Sequence, residues 1–301
     1  MTLKDFLNFI RWKNIILISM IMFLIKFALF EKFELNVTLD NFHYFLLTIS
    51  TVFIAIAGYI INDIYDVKAD QINKPNRLFV GKKIGRTQAY NLFIAFNSVG
   101  LLIGMYLSHH IGHTSYFIIY VLTSLLLYQY AKQLKRIFIV SNVLVSFVVF
   151  LSIALPSVFD LLPVTNAFNE SKQMVGFKLL LLFAVFGFFL TLLREIVKDM
   201  EDVKGDAEIE ARTIPIVLGI KKTKAILGII TLFLFMAIVY FAYMLMDFDL
   251  SASIYLSIFV AIPLVYFVLD LWKTKDKKGF HRSSGILKLI MLMGILTILL
   301  I

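Results

Sequence analysis

Residues 42–70 read FHYFLLTISTVFIAIAGYIINDIYDVKAD, and the reading of the whole chain works outward from this stretch. From Phe42 to Asn62 no Asp, Glu, Lys or Arg interrupts it. A run of that kind supplies the ~20 apolar residues that an α-helix needs to cross a bilayer. Comparable runs recur, and the hydropathy pattern predicts nine spans: 15–30, 42–61, 89–107, 115–130, 137–155, 177–193, 225–246, 253–269 and 285–301. The composition agrees. Of 301 residues, 60% are hydrophobic and 16% charged, with a mean hydropathy of +0.88, whereas a soluble domain carries about 25% charged residues. The absence of cysteine excludes a disulfide scaffold, and 30 phenylalanines exclude a disordered chain. The expected fold is therefore all-α and polytopic, a single domain over 1–301 with no linker.

Charge sets the orientation. The net charge of +9 in a soluble protein would raise the question of nucleic acid; in a membrane protein the question is on which side the cations lie. The start carries Lys4, Arg11 and Lys13 before an apolar run without a small-residue cleavage site after it, which reads as an uncleaved first span. Threading nine spans from a cytoplasmic N-terminus leaves only Lys26, Lys32, Lys172 and Lys178 outside, and puts the C-terminus outside. Lys26 lies near the outer end of its span, where a long side chain snorkels to the interface. The expected setting is the cell inner membrane.

Two long inner segments, 62–88 and 194–224, run against this basic background because both are rich in aspartate. The first carries Asp63, Asp66 and Asp70; the second, REIVKDMEDVKGD over 194–206, carries Asp199, Asp202 and Asp206. All three pairs share one offset of 136 residues, which points to a parallel internal repeat. On an uninterrupted helix positions i, i+3 and i+7 fall within roughly 60°, so each array is expected to put three carboxylates on one face. Like charges so placed repel unless a cation sits among them. Mg²⁺ suits the task, since it takes hard oxygen ligands and pairs one or two carboxylates with substrate phosphates. A lone aspartate at a membrane edge is a solvated loop charge; six in two identically spaced arrays are not explained that way.

These motifs resemble those of the UbiA superfamily of intramembrane prenyltransferases. Arg11 and Asn14 in RWKN are similar to its RPxN element, and Asn73, Lys74, Pro75 and Arg77 to its NKPxRP element, although Trp12 and Leu78 stand where the family has proline. LYQYAKQLKRIFIVSN over 127–142 resembles the segment linking its fourth and fifth spans and brings in Lys135 and Asn142. Within the superfamily, REIVKDMEDVKGD and the following RTIP resemble the archaeal-type digeranylgeranylglyceryl phosphate synthases through Arg194, Glu195, Lys198, Glu201 and residues 212–215.

The resemblance implies nine helices around a central cavity capped by cytoplasmic loops, and transfer of a polyprenyl group from its diphosphate to a lipophilic acceptor. It implies Mg²⁺ on the six aspartates, which form the catalytic set, with Asn62, Arg77, Lys135 and Lys198 contacting the diphosphate. Arg11, Asn14, Arg194 and Asn142 complete the substrate-binding set. For Arg77 and Lys135 the plain alternative is a positive-inside anchor. The acceptor is expected to be geranylgeranylglyceryl phosphate, with an aromatic acceptor of the menaquinone, ubiquinone or haem type as the alternative. Neither nucleic acid nor an obligatory protein partner is inferred.

Two rival classes are weaker. Phosphatidyltransferases need a DGxxAR core, but Asp66 and Asp202 are each followed by Val-Lys. A cation-coupled transporter is expected to carry ionisable groups near mid-membrane, whereas spans two and six are uncharged until their inner ends. The outer trio His109, His110 and His113 reads as a solvated loop.

Overall fold

The computed structural model describes residues 1–73, 75 and 78–301. Among them every regular element is helical, apart from an isolated bridge between Val80 and Ile84. In chain order the helices are α1 (Leu3–Phe9), α2 (Trp12–Leu24), α3 (Asn41–Tyr65), α4 (Val67–Asn73), α5 (Arg86–His110), α6 (Phe117–Lys132), α7 (Val140–Pro156) and α8 (Glu170–Glu208). There follow α9 (Ile214–Leu218), α10 (Ile220–Leu245), α11 (Leu250–Leu256), α12 (Ile262–Lys273) and α13 (Lys277–Leu296). Eight helical stretches among the described residues are long and apolar enough to cross a membrane, and the chain is an integral membrane protein. The span predicted over 115–130 corresponds to α6, whose 16 residues reach about 24 Å, short of a ~30 Å hydrocarbon core. A 3₁₀ turn at Thr114–Tyr116 runs directly into it and lengthens the helical rod.

The helices keep much of their apolar surface on the outside: only 22% of the Arg86–His110 span is buried, with Ile94, Leu102 and Met105 exposed. That pattern suits lipid as the solvent, because hydrocarbon does not penalise an exposed leucine.

The chain forms two compact units. The first comprises Met1–Lys135 and Leu151–Leu181, the second Arg136–Phe150 and Leu182–Ile301, so each carries one aspartate array and neither is a simple half of the sequence. In the first unit α3 packs on α2, α5 and α6. Ser50 Oγ donates to Gly100 O at 2.8 Å, and a Cβ on Gly100 would stand 3.3 Å from Ser50 O, so the missing side chain lets the α3 and α5 backbones approach.

Lys26 corrects the snorkelling expectation. It is buried, and its Nζ donates to Asp160 Oδ2 at 2.8 Å and to Leu39 O at 2.7 Å. Asp160 is fully buried and also accepts from Leu39 N at 2.7 Å. Single π-helical turns at Ile25–Phe30 and Ser157–Leu161 carry the two residues, and the pair satisfies itself with the backbone of the segment leading into α3. A charge buried with full partners need not reach the interface.

In the second unit α10 packs against α9, α11 and α12, and α12 against α13. Asp270 on α12 accepts from Arg282 and, at 2.8 Å, from Ser283 Oγ, both on α13.

Candidate active site

The first array straddles a one-residue break between two helices. α3 ends at Tyr65 and α4 begins at Val67, so Asp63 is on α3, Asp70 is on α4, and Asp66 is the residue between, at φ −87° and ψ 0°. Asp66 still donates its N–H to Asn62 O at 2.9 Å and accepts from Asp70 N at 2.8 Å. The helix therefore flexes at Asp66 without losing its ladder.

Asp63 and Asp66 each have a named companion. Arg11 caps the N-terminus of α2 in the left-handed region at φ 57°. Its Nη2 donates to Asp63 Oδ1 at 2.9 Å, and its Cζ stands 4.7 Å from the centre of the Tyr59 ring. Desolvation opposes the guanidinium charge, but Asp63, with Tyr59 and Asp66, more than offsets it, so the Arg11 pKa is raised. Asn14 Nδ2 donates to Tyr59 OH at 3.3 Å. Lys135, in the 3₁₀ turn after α6, pairs with Asp66 Oδ1, while Asn62 Nδ2 donates to Asp66 Oδ2 at 2.6 Å. Asn62 Oδ1 is left buried without a partner. Arg77 and Lys74 lie outside the described residues.

The second array is continuous. α8 runs unbroken to Glu208, so the segment expected to begin a loop at Arg194 is helix, and Asp199, Asp202 and Asp206 do share a face. Asn142, in the first turn of α7, donates its Nδ2 to Asp199 Oδ2 at 2.8 Å. Glu195 Oε1 accepts from Arg194 Nη1 at 3.1 Å and from Lys198 Nζ at 2.6 Å. The chain then folds back, with Ala211 N donating to Asp206 O and Arg212 N to Arg136 O, both at 2.9 Å.

Sequence reasoning missed two partners from α13. Lys277 Nζ lies 3.7 Å from Asp202 Oδ1, and His281 Nδ1 lies 3.1 Å from Glu201 Oε1. The signal that pointed to them was only the positive-inside surplus, which gives a side of the membrane and not a partner. Tyr59, beneath Arg11, was close in sequence to the first array but indistinguishable from other tyrosines.

Among the described residues no three Asp, Glu or His side chains converge into a ready-made metal cage. The donor set nonetheless fits Mg²⁺, which takes one or two carboxylates and completes its octahedron with water and substrate phosphate. The groups at the α3–α4 break are all hard oxygens, and the orphaned Asn62 Oδ1 adds another of the same kind. Arg11 and Lys135 hold the compensating positive charge there.

Comparison with known proteins adds to this geometry. The sequence model described as the UbiA prenyltransferase family matches residues 17–292. Digeranylgeranylglyceryl phosphate synthase of Korarchaeum cryptofilum is 33% identical over 250 residues, covering 82% of this chain and 81% of that protein. The protein of the same name from Sulfurisphaera tokodaii is 39% identical over 181 residues, covering 60% of this chain and 59% of its own. A solved structure described as digeranylgeranylglyceryl phosphate synthase in membranes is 27% identical with a TM-score of 0.65, covering 99% of this chain and 97% of that one. A UbiA homologue from Archaeoglobus fulgidus bound to GPP and Mg²⁺ shares the fold, with a TM-score of 0.59 at 14% identity, over 98% of this chain and 99% of its own.

Proposed function

The chain belongs to the UbiA prenyltransferase family, and from that premise we propose that it transfers a geranylgeranyl group from its diphosphate to the hydroxyl of geranylgeranylglyceryl phosphate, with Mg²⁺ as cofactor. The observation that carries the reading is the pairing of hard-oxygen donors with cations at the first array: Asp63 with Arg11, Asp66 with Lys135 and Asn62. The names of the relatives from Korarchaeum cryptofilum and Sulfurisphaera tokodaii support the acceptor.

Asp63, Asp66, Asp70, Asp199, Asp202 and Asp206 are the proposed metal ligands, with Asn62 Oδ1 beside them. Mg²⁺, when bound, supplies the positive charge that makes diphosphate a good leaving group. The chain's own residues do the rest. Arg11, Arg77, Lys135 and Lys198 donate to diphosphate oxygens, stabilising the charge that develops as the allylic C–O bond breaks and its electron pair leaves with the diphosphate. Asn14 and Asn142 hold Tyr59 and Asp199 in place. The acceptor hydroxyl oxygen forms the new bond to the allylic carbon and gives its proton to a carboxylate. Glu195 is a poor choice for that proton because two cations grip it.

The basic inner loops support a site facing the cytoplasm, in a cell inner membrane, with the N-terminus cytoplasmic. The test uses membranes holding the protein, supplied with Mg²⁺, a panel of prenyl diphosphates, and geranylgeranylglyceryl phosphate, naphthoate, hydroxybenzoate or haem-type acceptors. Mass spectrometry should find the prenylated glyceryl phosphate lipid. Asp66→Ala and Asp202→Ala should each abolish it while leaving membrane insertion intact; activity retained in both overturns the metal assignment.

A further inference from the structure

Threonine inside a helix ordinarily donates its hydroxyl to the carbonyl four residues back, and here Thr48, Thr51, Thr123, Thr223 and Thr231 all do so at 2.7 to 3.2 Å. Thr191, in the interior of α8, does not. It is 3% exposed, and its Oγ1 is buried without a hydrogen-bond partner. One turn along the same helix, Arg194 Nε is likewise buried without a partner, although Arg194 Nη1 is held by Glu195 at 3.1 Å. A buried hydroxyl and a buried guanidinium N–H left unmet on adjacent turns weaken the fold unless something else satisfies them.

Their place on α8 indicates what that is. At about 100° per residue, Thr191, Glu195, Asp199, Asp202 and Asp206 fall within roughly 80° of one another, so Thr191 continues the stripe of the second array. It lies about 12 Å along the helix from Asp199, on the membrane side of the array. Cβ atoms at i and i+3 are about 5–6 Å apart, a separation that suits a hydroxyl and a phosphate on neighbouring carbons of a glycerol unit.

We infer that Thr191 Oγ1 and Arg194 Nε form the recognition site for the acceptor: Thr191 hydrogen-bonds the acceptor's reacting hydroxyl, and Arg194 Nε donates to its phosphate. The inference rests on the glyceryl phosphate reading above and adds to it the residue, Thr191, that selects an alcohol. Neither group transfers a proton or electron in this role; they orient the nucleophile.

The experiment compares the full-length wild type with Thr191→Val, Thr191→Ser and Arg194→Gln. Acceptor and prenyl diphosphate KM are measured separately, together with direct binding of a monoalkyl glycerol 1-phosphate and a monoalkyl glycerol in the absence of metal and diphosphate. Thr191→Val should raise the acceptor KM and weaken both lipids about tenfold, with the diphosphate KM unchanged and thermal stability equal to or above wild type, and Thr191→Ser should restore binding. Arg194→Gln should weaken only the phosphate-bearing lipid. Wild-type lipid binding in Thr191→Val, a matched rise in both KM values, or a loss that serine does not rescue overturns the inference. Transfer by the wild type to aromatic acceptors alone overturns the glyceryl phosphate reading and this site with it. Transfer to the glyceryl phosphate lipid with Thr191→Val unaffected overturns this site alone.

Discussion

Asp66 occupies the single-residue break between α3 and α4, and two side chains hold its carboxylate, Lys135 on one oxygen and Asn62 on the other. Lys135 is 69 residues away in the chain, and Arg11 is 52 residues from Asp63. The sequence singled out all of these residues, but which cation meets which carboxylate depends on how the helices pack. The pairing has a consequence for function: Lys135 is a charged donor beside a proposed metal ligand, and a hydrogen bond to a charged group is worth about 1.5–3 kcal/mol. Lys135→Met should therefore lower kcat/KM for the prenyl diphosphate by roughly 10- to 100-fold while acceptor binding stays as in the wild type. Steady-state kinetics with each substrate varied in turn will check it.

At the scale of elements, two ion pairs behave oppositely because of where they sit. Lys26 and Asp160 are buried and bind the segment before α3 to the ends of α2 and α7. Lys26→Met alone strands a buried carboxylate and should cost about 3–5 kcal/mol in detergent unfolding, whereas Lys26→Met with Asp160→Asn should recover much of that loss. Asp5 and Lys83 form the opposite case, a surface pair 2.7 Å apart that fastens α1 to the segment before α5. The Lys83 ammonium, helped by Thr2, holds the Asp5 carboxyl at about 2, below its ordinary 3.8. A depressed carboxyl stabilises the fold above its unfolded value and loses that contribution as pH falls toward the folded one. The protection factors of the α1 amides should therefore fall between pH 4 and pH 2, and Asp5→Asn should show low protection throughout and no such step.

For the whole molecule, with the N-terminus cytoplasmic as proposed, the parity of the crossings sets the side of the C-terminus. Among the described residues eight helices have the length and hydropathy to cross, and the ninth rod, α6 with its leading 3₁₀ turn, is the marginal one. With α6 spanning, nine crossings put the C-terminus outside; if it does not span, parity puts it inside. A side-specific reporter fused after Ile301 should score outside. The two arrays share one offset of 136 residues, yet they fold differently, one broken at Asp66 and one carried on a helix of 39 residues. Identical spacing of charges does not encode identical backbone, because the break depends on what the neighbouring turns pack against.

Hydropathy, charge bias and repeated aspartate spacing by themselves determined a polytopic helical membrane protein with an acidic, metal-suited pair of motifs. Those properties are local or additive: each span needs only its own ~20 residues to prefer lipid, and each motif only its own spacing. Tertiary structure alone decided that Lys26 is paired with Asp160, that Arg11 meets Asp63 over Tyr59, that α13 brings Lys277 and His281 to the second array, and that Thr191 is left unmet. These are contacts between residues distant in the chain or, for Thr191, the absence of one, and a one-dimensional pattern carries no distance between side chains.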